Sequence, residues 1–202
     1  HPGSDLTDTM LVISMNQKDH SAALISVPRD MWSETLQDKV NSAYYYGEER
    51  DQGGGLVLAK AVTEDVVGLS MHYGLVIDFF GFQKIIDLVD GIDVVVPKAF
   101  TDPEFPVEGK ENDFCEGDPQ LRCRYEGLHF DAGTVHMNGS LALKYVRSRH
   151  AEGSEGSDFA RSRRQQDVLV ALQQTLLQPK LIFRPGLVAK LFRAFDDATD
   201  MD

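Results

Sequence analysis

Apolar residues in the first part of the chain occur in short runs that alternate with polar stretches. Residues 9–15 (TMLVISM) and 22–27 (AALISV) are two such runs, each of the length of a β-strand. The polar stretch Asn-Gln-Lys-Asp lies between them and predicts a turn. Two strand-length runs joined by a short polar turn predict a β-hairpin.

Helical spacing of apolar residues begins after the glycines at 53–55, which are interpreted as a flexible loop. Leu58, Val62 and Val66 recur every four residues and predict a helix over 56–69. A second helix is predicted over 82–89, between strand-like runs at 73–79 and 92–96. Strands that alternate with helices are typical of a layered α/β domain.

The remaining segments are assigned by composition and length. Residues 99–131 are acidic and poor in apolar pattern, which predicts a loop-rich insertion with a small hairpin near 125–130. Residues 179–202 predict a C-terminal helical extension. With 202 residues, the chain is expected to form one domain.

Overall charge limits the classes of partner. The formal net charge is −12, which argues against nucleic acid, because a phosphate backbone requires a broad basic face. The apolar fraction of 42% is sufficient for a core, and no apolar run approaches the roughly 20 residues of a membrane span. The abrupt start and end of the chain suggest an excised ectodomain.

A local cluster of arginines contrasts with this acidic composition. Residues 145–166 contain five of the 20 Lys and Arg residues: Arg147, Arg149, Arg161, Arg163 and Arg164. Concentrated positive charge on an acidic protein predicts a site for a compact anion. The alternative is a solvated, charged loop beside an amphipathic helix.

The spacing within this stretch predicts a helix with two different ends. Ser157 is a candidate cap for a helix that starts at Asp158, on which Asp158, Arg161 and Gln165 share one face. The same face continues as an apolar stripe of Val168, Leu169, Leu172 and Leu176. Upstream, Asn138 is a candidate cap for a short helix through Leu141, Ala142 and Tyr145. Arg147 and Arg149 are two positions apart and share a direction only where the chain is extended, so both are predicted on an extended exit from that helix.

The two cysteines suggest a disulfide. Cys115 and Cys123 lie close together in a segment that contains glycine and proline. An even, closely spaced pair predicts a local disulfide and an oxidising compartment. Two free thiols, or half of a metal site, are the alternatives.

Five sequence blocks in a fixed order resemble one known family. They are Asp-Thr-Met before the first strand (8–15), Ser-Val-Pro-Arg-Asp (26–30), Lys-Val-Asn-Ser-Ala-Tyr (39–44), Ile-Asp-Phe-Phe-Gly-Phe (77–82), and Tyr-Val-Arg-Ser-Arg followed by Asp-Phe-Ala-Arg-Ser-Arg-Arg-Gln-Gln. Together they resemble the LytR-CpsA-Psr family over residues 5–177.

The resemblance implies a fold and a function. It implies a three-layer α/β/α sandwich with a central mixed sheet, displayed outside the bacterial cytoplasmic membrane on a protein anchored by an N-terminal transmembrane helix. It implies a phosphotransferase that moves a glycopolymer from a polyprenyl-diphosphate carrier, a membrane lipid, onto peptidoglycan. The implied cofactor is Mg²⁺ or another divalent cation such as Mn²⁺.

The resemblance also assigns roles to individual residues. It assigns diphosphate binding to Arg29, Lys39, Arg147, Arg149, Arg161 and Gln165. It places the metal on Asp8, and the expected catalytic set is Asp8, Arg29, Arg149, Asp158 and Arg161. Asp158 is expected either to accept the proton of the acceptor hydroxyl or to orient Arg161. The lipid tail is expected along Val168, Leu169, Leu172 and Leu176, which otherwise simply fill the core.

This chain departs from the family pattern near its start. The family often has Arg-Ser-Asp-Thr where this chain has Leu6-Thr7-Asp8-Thr9, so Leu6 replaces an arginine. The aspartate usual in the preceding strand lies outside this chain or is missing. Two other functions therefore stay open: hydrolysis of polyprenyl diphosphates, and non-catalytic binding of lipid-linked glycans.

Overall fold

The structure is a computed structural model that describes residues 6–16, 18–19, 21–179 and 185–201. The chain divides into two compact units, which we describe separately. The first unit contains the described residues up to Asp78 together with 199–201, and the second contains those of Phe79–Ala198. The prediction of one domain over 1–202 stays a prediction.

The α-helices and strands follow one another along the chain with these bounds. They are β1 (Met10–Asn16), β2 (Ser21–Val27), β3 (Trp32–Ser33), β4 (Asp38–Lys39), α1 (Ala43–Arg50), α2 (Gly54–Val67), β5 (Leu75–Ile77), α3 (Phe79–Leu88), β6 (Ile92–Val96), β7 (Phe100–Pro106), β8 (Tyr125–Phe130), β9 (Gly133–Met137), α4 (Gly139–Arg147), α5 (Asp158–Leu176), α6 (Pro185–Ala198) and β10 (Thr199–Met201).

The first unit contains the predicted hairpin. Strands β1 and β2 pair antiparallel, with Met10 opposite Val27, which confirms the prediction from the two apolar runs. Short strands β3 and β4 form a second antiparallel pair, and β5 pairs with β10. Val12, Val27 and Val62 contribute to the core of this unit, together with Val40 and Ala43.

The glycines at 53–55 are part of a helix–helix contact. Helix α2 begins at Gly54, two residues earlier than the apolar pattern predicts. A Cβ atom on Gly47 of α1 would lie 2.4 Å from the carbonyl oxygen of Gly54 and 2.6 Å from the Cα of Gly55. The close approach of the two helices therefore requires glycine, and the interpretation of these glycines as a flexible loop is wrong for Gly54 and Gly55.

The second unit is built around β6. Ile92, Val94 and Val96 are buried and alternate with exposed Asp93 and Val95, so one face of the strand packs on the core. Helix α5 packs on β6, while α3 contacts α4 and α6. Strand β9 pairs antiparallel with β6, from Ile92 opposite Met137 to Val96 opposite Gly133.

The segment predicted as a loop-rich insertion contains regular structure. Strands β7 and β8 pair antiparallel from Phe100 opposite Phe130, with an irregularity between Asp102 and Phe105. The hairpin expected near 125–130 is therefore longer, because its first strand lies in the acidic part of the segment. The disulfide between Cys115 and Cys123, with Cα atoms 5.4 Å apart, closes the intervening loop and confirms the predicted pairing.

The fold class is mixed α/β. The described strands form five antiparallel pairs, and a central mixed sheet is not among their pairings. The C-terminal segment is helical over Pro185–Ala198 and ends in β10, so it is not helical throughout. The parts of this prediction that concern 180–184 and 202 lie outside the described residues.

Candidate functional site

The first unit contains a chain of alternating charges at one end of the β1–β2 hairpin. Arg29 follows β2, and its Nη1 donates to the Asp8 Oδ1 at 2.7 Å. Its Nε lies 3.4 Å from the Asp30 Oδ2, and the Lys39 Nζ lies 2.7 Å from the Asp30 Oδ1. The hydrogen bond from Lys39 lowers the pKa of Asp30, burial acts in the opposite direction, and the charge of Arg29 adds to the lowering.

Backbone hydrogen bonds join the segment that contains Arg29 and Asp30 to the residues that follow Lys39. Because Met10 lies opposite Val27, the residues just before β1 and just after β2 are at the same end of the hairpin. The amide of Asn41 donates to the carbonyl of Arg29, and the amide of Val40 donates to that of Met31. Thus Asp8, Arg29 and Lys39 come from three different segments, and the fold brings them into one network.

Asp8 has the chemistry required of a Mg²⁺ ligand. It is a partly exposed carboxylate, with a side-chain exposure of 38%. Protein-bound Mg²⁺ is held by one or two carboxylates, and water and substrate phosphate complete its octahedron. The donor type and accessibility of Asp8 thus fit the ion. Within the part of the chain that the structure describes, the only cluster of three potential ligands is Asp113, Cys115 and Cys123, and these cysteines form the disulfide.

In the second unit, Arg147 is the last residue of α4, and the prediction of an extended chain at this position is wrong. The amide of Ser148 donates to the carbonyl of Lys144, so the helical hydrogen bonds continue one residue past Arg147. The Arg147 guanidinium lies over the ring of Phe79, at 4.5 Å from its centroid. The extended geometry begins at Ser148, with φ −54° and ψ 130°.

Arg149 follows this helix end and lies in a segment fixed by a buried carboxylate. Asp102 of β7 is fully buried, and its Oδ2 accepts from the Ser148 hydroxyl at 2.6 Å, the Arg149 amide at 3.0 Å and the His150 amide at 3.2 Å. The backbone on which the Arg149 side chain is mounted is therefore held at consecutive residues. Arg149 itself is half-buried.

Helix α5 begins where the sequence predicts, with Ser157 as its cap. The Ser157 hydroxyl accepts from the amide of Ala160 at 3.2 Å. Arg161 and Gln165 are buried on one face of this helix, as their spacing predicts. Asp158, at the start of the same face, is exposed.

The other two arginines of the cluster have different environments, although they are adjacent in sequence. Arg163 is exposed, and its Nη2 lies 3.2 Å from both carboxylate oxygens of Glu155. Arg164 is 1% exposed and donates to the carbonyls of Tyr145, Ser148 and Glu155 at 3.1, 2.7 and 2.8 Å. Burial lowers the pKa of Arg164. Arg164 is therefore an internal structural group, and the five arginines do not form one surface for an anion.

Two buried carboxylate residues beside the candidate site are not identified by the sequence pattern. Asp102 lies in the acidic segment taken as an insertion, and Glu155 lies in the loop between α4 and α5. Both carboxylates are buried and bind groups of the arginine-bearing stretch. No local spacing identifies the role of Asp102, because its partners in the arginine-bearing stretch are 46 to 48 residues away.

The predicted lipid stripe differs in burial along its length. Val168 is fully buried in the core of the second unit, and Leu172 packs against that core. Leu169 is half-buried, and Leu176 is 37% exposed. Helix α5 thus combines buried polar residues near its start with apolar residues that become more exposed toward its end.

Comparison with known proteins identifies a family and several relatives of this chain. The profile of the LytR_cpsA_psr family matches residues 2–202. The polyisoprenyl-teichoic acid–peptidoglycan teichoic acid transferase TagU of Bacillus mycoides (strain KBAB4) is 31% identical over 170 residues, which are 82% of this chain and 45% of that protein. TagU of Bacillus anthracis (strain CDC 684) is 28% identical over 167 residues, with coverages of 81% and 45%.

A solved structure shares the fold. The crystal structure of Bacillus subtilis TagU superposes with a TM-score of 0.67 at 22% identity, covering 99% of this chain and 73% of that one. The chain spans less than half the length of the curated TagU relatives that it matches. In the part of the chain that the structure describes, no helix has the length and apolar character required to cross a membrane.

Proposed function

Because the chain belongs to the LytR_cpsA_psr family, we propose that it is a phosphotransferase of the bacterial cell envelope. It would move a glycopolymer from a polyprenyl-diphosphate carrier onto peptidoglycan. The observation that carries this proposal is the family match across residues 2–202. The names of the TagU relatives, which specify a polyisoprenyl-linked teichoic acid and peptidoglycan, support the substrate classes.

The proposed fold is the three-layer α/β/α sandwich with a central mixed sheet. The TM-score of 0.67 to Bacillus subtilis TagU supports a fold shared with that protein. The packing of α5 on β6 supports one helix–strand layer contact in the second unit. The disulfide supports an oxidising, extracytoplasmic location.

We assign diphosphate binding to Arg29, Lys39, Arg147, Arg149, Arg161 and Gln165. The guanidinium group presents donors in a planar fork that matches phosphate oxygens, so arginine is suited to this ligand. Arg147 has its guanidinium against an aromatic ring, and Arg149 has its backbone fixed by Asp102. Such restraint reduces the conformational entropy that anion binding must overcome.

Asp8 is the proposed residue for the divalent cation, Mg²⁺ or Mn²⁺. The bound ion would neutralise negative charge that develops on the phosphate oxygens. The ion pair with Arg29 holds the Asp8 carboxylate in a defined position. Arg29 in turn lies between Asp8 and Asp30, so its charge is shared by two carboxylates in the absence of an anionic ligand.

The proposed reaction forms one phosphorus–oxygen bond and breaks another. The hydroxyl oxygen of the acceptor sugar attacks the sugar-side phosphorus, the bond to the bridging oxygen breaks, and polyprenyl monophosphate leaves. The hydroxyl proton passes to a base, and Asp158 is the candidate base among the predicted site residues. The alternative role of Asp158 is to orient Arg161. Phosphoryl transfer depends mainly on positioning and charge neutralisation, which a set of arginines and one metal-binding carboxylate supplies.

One experiment distinguishes this function from its two rivals. The protein is incubated with a polyprenyl-diphosphate-linked glycan, with and without peptidoglycan and with Mg²⁺ or a chelator. A transferase attaches glycan to peptidoglycan only when acceptor and cation are both present. A hydrolase releases polyprenyl monophosphate without acceptor. A binding module, which the replacement of an arginine by Leu6 would favour, retains donor without releasing any product, and either rival result would overturn the proposal.

A separate binding measurement tests the assigned arginines. Arg147→Ala and Arg149→Ala are each expected to weaken donor binding by about 1.5–3 kcal/mol, the contribution of a hydrogen bond to a charged group. Donor affinity is measured by isothermal titration calorimetry. Unchanged affinity in both variants would contradict the site assignment.

A further inference from the structure

The segment between α4 and α5 is held from two sides by buried charged groups. On one side, Asp102 accepts from the Ser148 hydroxyl and from the amides of Arg149 and His150. On the other side, Arg164 donates to the carbonyls of Tyr145, Ser148 and Glu155. Ser148 is fully buried and is bound through its hydroxyl by the carboxylate and through its carbonyl by the guanidinium.

The segment is held by charged groups that are themselves buried. Fully burying a carboxylate is costly unless hydrogen bonds compensate it, and Asp102 receives four, including one from the amide of Glu104 to its Oδ1. A charged acceptor fixes its donors more strongly than a neutral one. The result is a short stretch of non-helical backbone with little freedom, immediately beside the end of α4.

Arg149 is the residue that this restraint affects most directly. Its backbone amide is one of the Asp102 donors, and its side chain leaves the fixed segment half-buried. Apparent ligand affinity falls with the fraction of molecules in the binding-competent conformation. A rigid backbone at Arg149 therefore raises affinity by keeping that fraction high.

We propose that Asp102, Ser148 and Arg164 are positioning residues, which act on the diphosphate-bearing donor through Arg149. This inference rests on the proposed donor-binding role of Arg149. It adds three residues that the family motif blocks do not single out for this role, and it explains why one arginine of the cluster is buried. The Arg164 guanidinium donates its hydrogen bonds to backbone carbonyls and does not bind the ligand.

The test uses Ser148→Ala, which removes one hydroxyl and leaves the carbonyl in place. The probe is geranylgeranyl diphosphate, and its affinity is measured by isothermal titration calorimetry for Ser148→Ala, Arg149→Ala and the double variant. We expect Ser148→Ala to lose about threefold to tenfold in affinity, as when the competent fraction falls to between about a third and a tenth. Because Ser148 acts through Arg149, the double variant should bind as weakly as Arg149→Ala alone.

Two further measurements separate positioning from general stability. Val94→Ala, in the buried strand β6 outside the segment, serves as a destabilising control and should bind the probe like the wild type. Hydrogen exchange of the Arg149 and His150 amides should accelerate in Ser148→Ala and remain slow in Val94→Ala. Asp102→Asn is a second test of the same role, and it serves as the test if Ser148→Ala folds poorly. It removes the charge at nearly constant volume and should show the same loss of affinity.

Each outcome decides between the two proposals. If Arg149→Ala binds the probe as the wild type does, the donor-binding role of Arg149 is wrong. If Arg149→Ala weakens binding while Ser148→Ala and Asp102→Asn do not, the positioning role is wrong and the donor-binding role stands. Additive losses in the double variant, or an equal loss in Val94→Ala, would also overturn the positioning role.

Discussion

Neighbouring Arg163 and Arg164 provide a sharp prediction, because both contact Glu155 but differ in burial. Arg164 is 1% exposed, whereas the Arg163 side chain is 48% exposed. Arg164→Met removes the guanidinium and retains much of the apolar side chain. It leaves three backbone carbonyls without this donor and takes away the buried partner of Glu155, whose Oε2 lies 3.6 Å from the Arg164 Nη1.

The expected magnitude follows from this geometry. Removing one partner of a buried charge pair costs about 3–5 kcal/mol, and each buried carbonyl left unsatisfied costs about 1–3 kcal/mol before the structure relaxes. Because these contributions overlap, we expect Arg164→Met to lower the free energy of unfolding by about 3–5 kcal/mol. This is a large part of the roughly 5–15 kcal/mol by which a typical native protein is stable.

Arg163→Met is the matched control. Its ion pair with Glu155 is accessible to solvent on the arginine side, and such pairs contribute about 0–1 kcal/mol. The free energy of unfolding of both variants is measured by urea denaturation followed by circular dichroism, with the slope on denaturant checked for constancy. Equal losses in the two variants would refute the conclusion that Arg164 is an internal structural group.

Three other predictions concern the disulfide, a buried phenol and the lipid stripe. When Cys115 and Cys123 are both changed to serine, the free energy of unfolding should fall by up to about 2.5 kcal/mol, because the unfolded chain is no longer restrained by the closed loop. Alkylation followed by mass spectrometry should find no free thiol in the unreduced wild type, and two alkylated thiols would contradict the pairing. Burial raises the pKa of Tyr145 from 10.0 to about 12, so the folded state keeps a proton that the unfolded state releases, and stability that is complete below pH 10 is lost as pH rises toward 12. This loss, about 2–3 kcal/mol in urea denaturation at successive pH values, should disappear in Tyr145→Phe, and an unchanged profile would rule it out. Leu172→Trp should abolish binding of long-tailed but not short-tailed diphosphates if a lipid tail lies along α5; if it instead costs about 1–3 kcal/mol of stability and both ligands bind normally, the residue only fills the core.

Local sequence patterns were sufficient to predict the helix caps and the hairpin beside the candidate site. The caps of α4 and α5 each accept a hydrogen bond from a backbone amide three residues further along the chain. The amide of Leu141 donates to the Asn138 side chain, and that of Ala160 donates to the Ser157 hydroxyl. A short stretch of sequence therefore contains both the donor and the acceptor. The β1–β2 hairpin likewise depends on two apolar runs and the turn between them. The order of the five motif blocks also sufficed to identify the family, which the match over residues 2–202 confirms.

Which charged residues face inward depends on how distant segments of the chain pack together. Arg163 and Arg164 are the same residue type at adjacent positions, so the sequence does not show which of them is buried. Arg164 is the buried one because the carbonyls of Tyr145, Ser148 and Glu155 accept its hydrogen bonds. Asp102 acquires its role because β7 brings it to partners 46 to 48 residues along the chain. Capping depends on hydrogen bonds within one turn, which local spacing reveals, whereas the burial of a charge depends on donors and acceptors that distant segments supply once they pack.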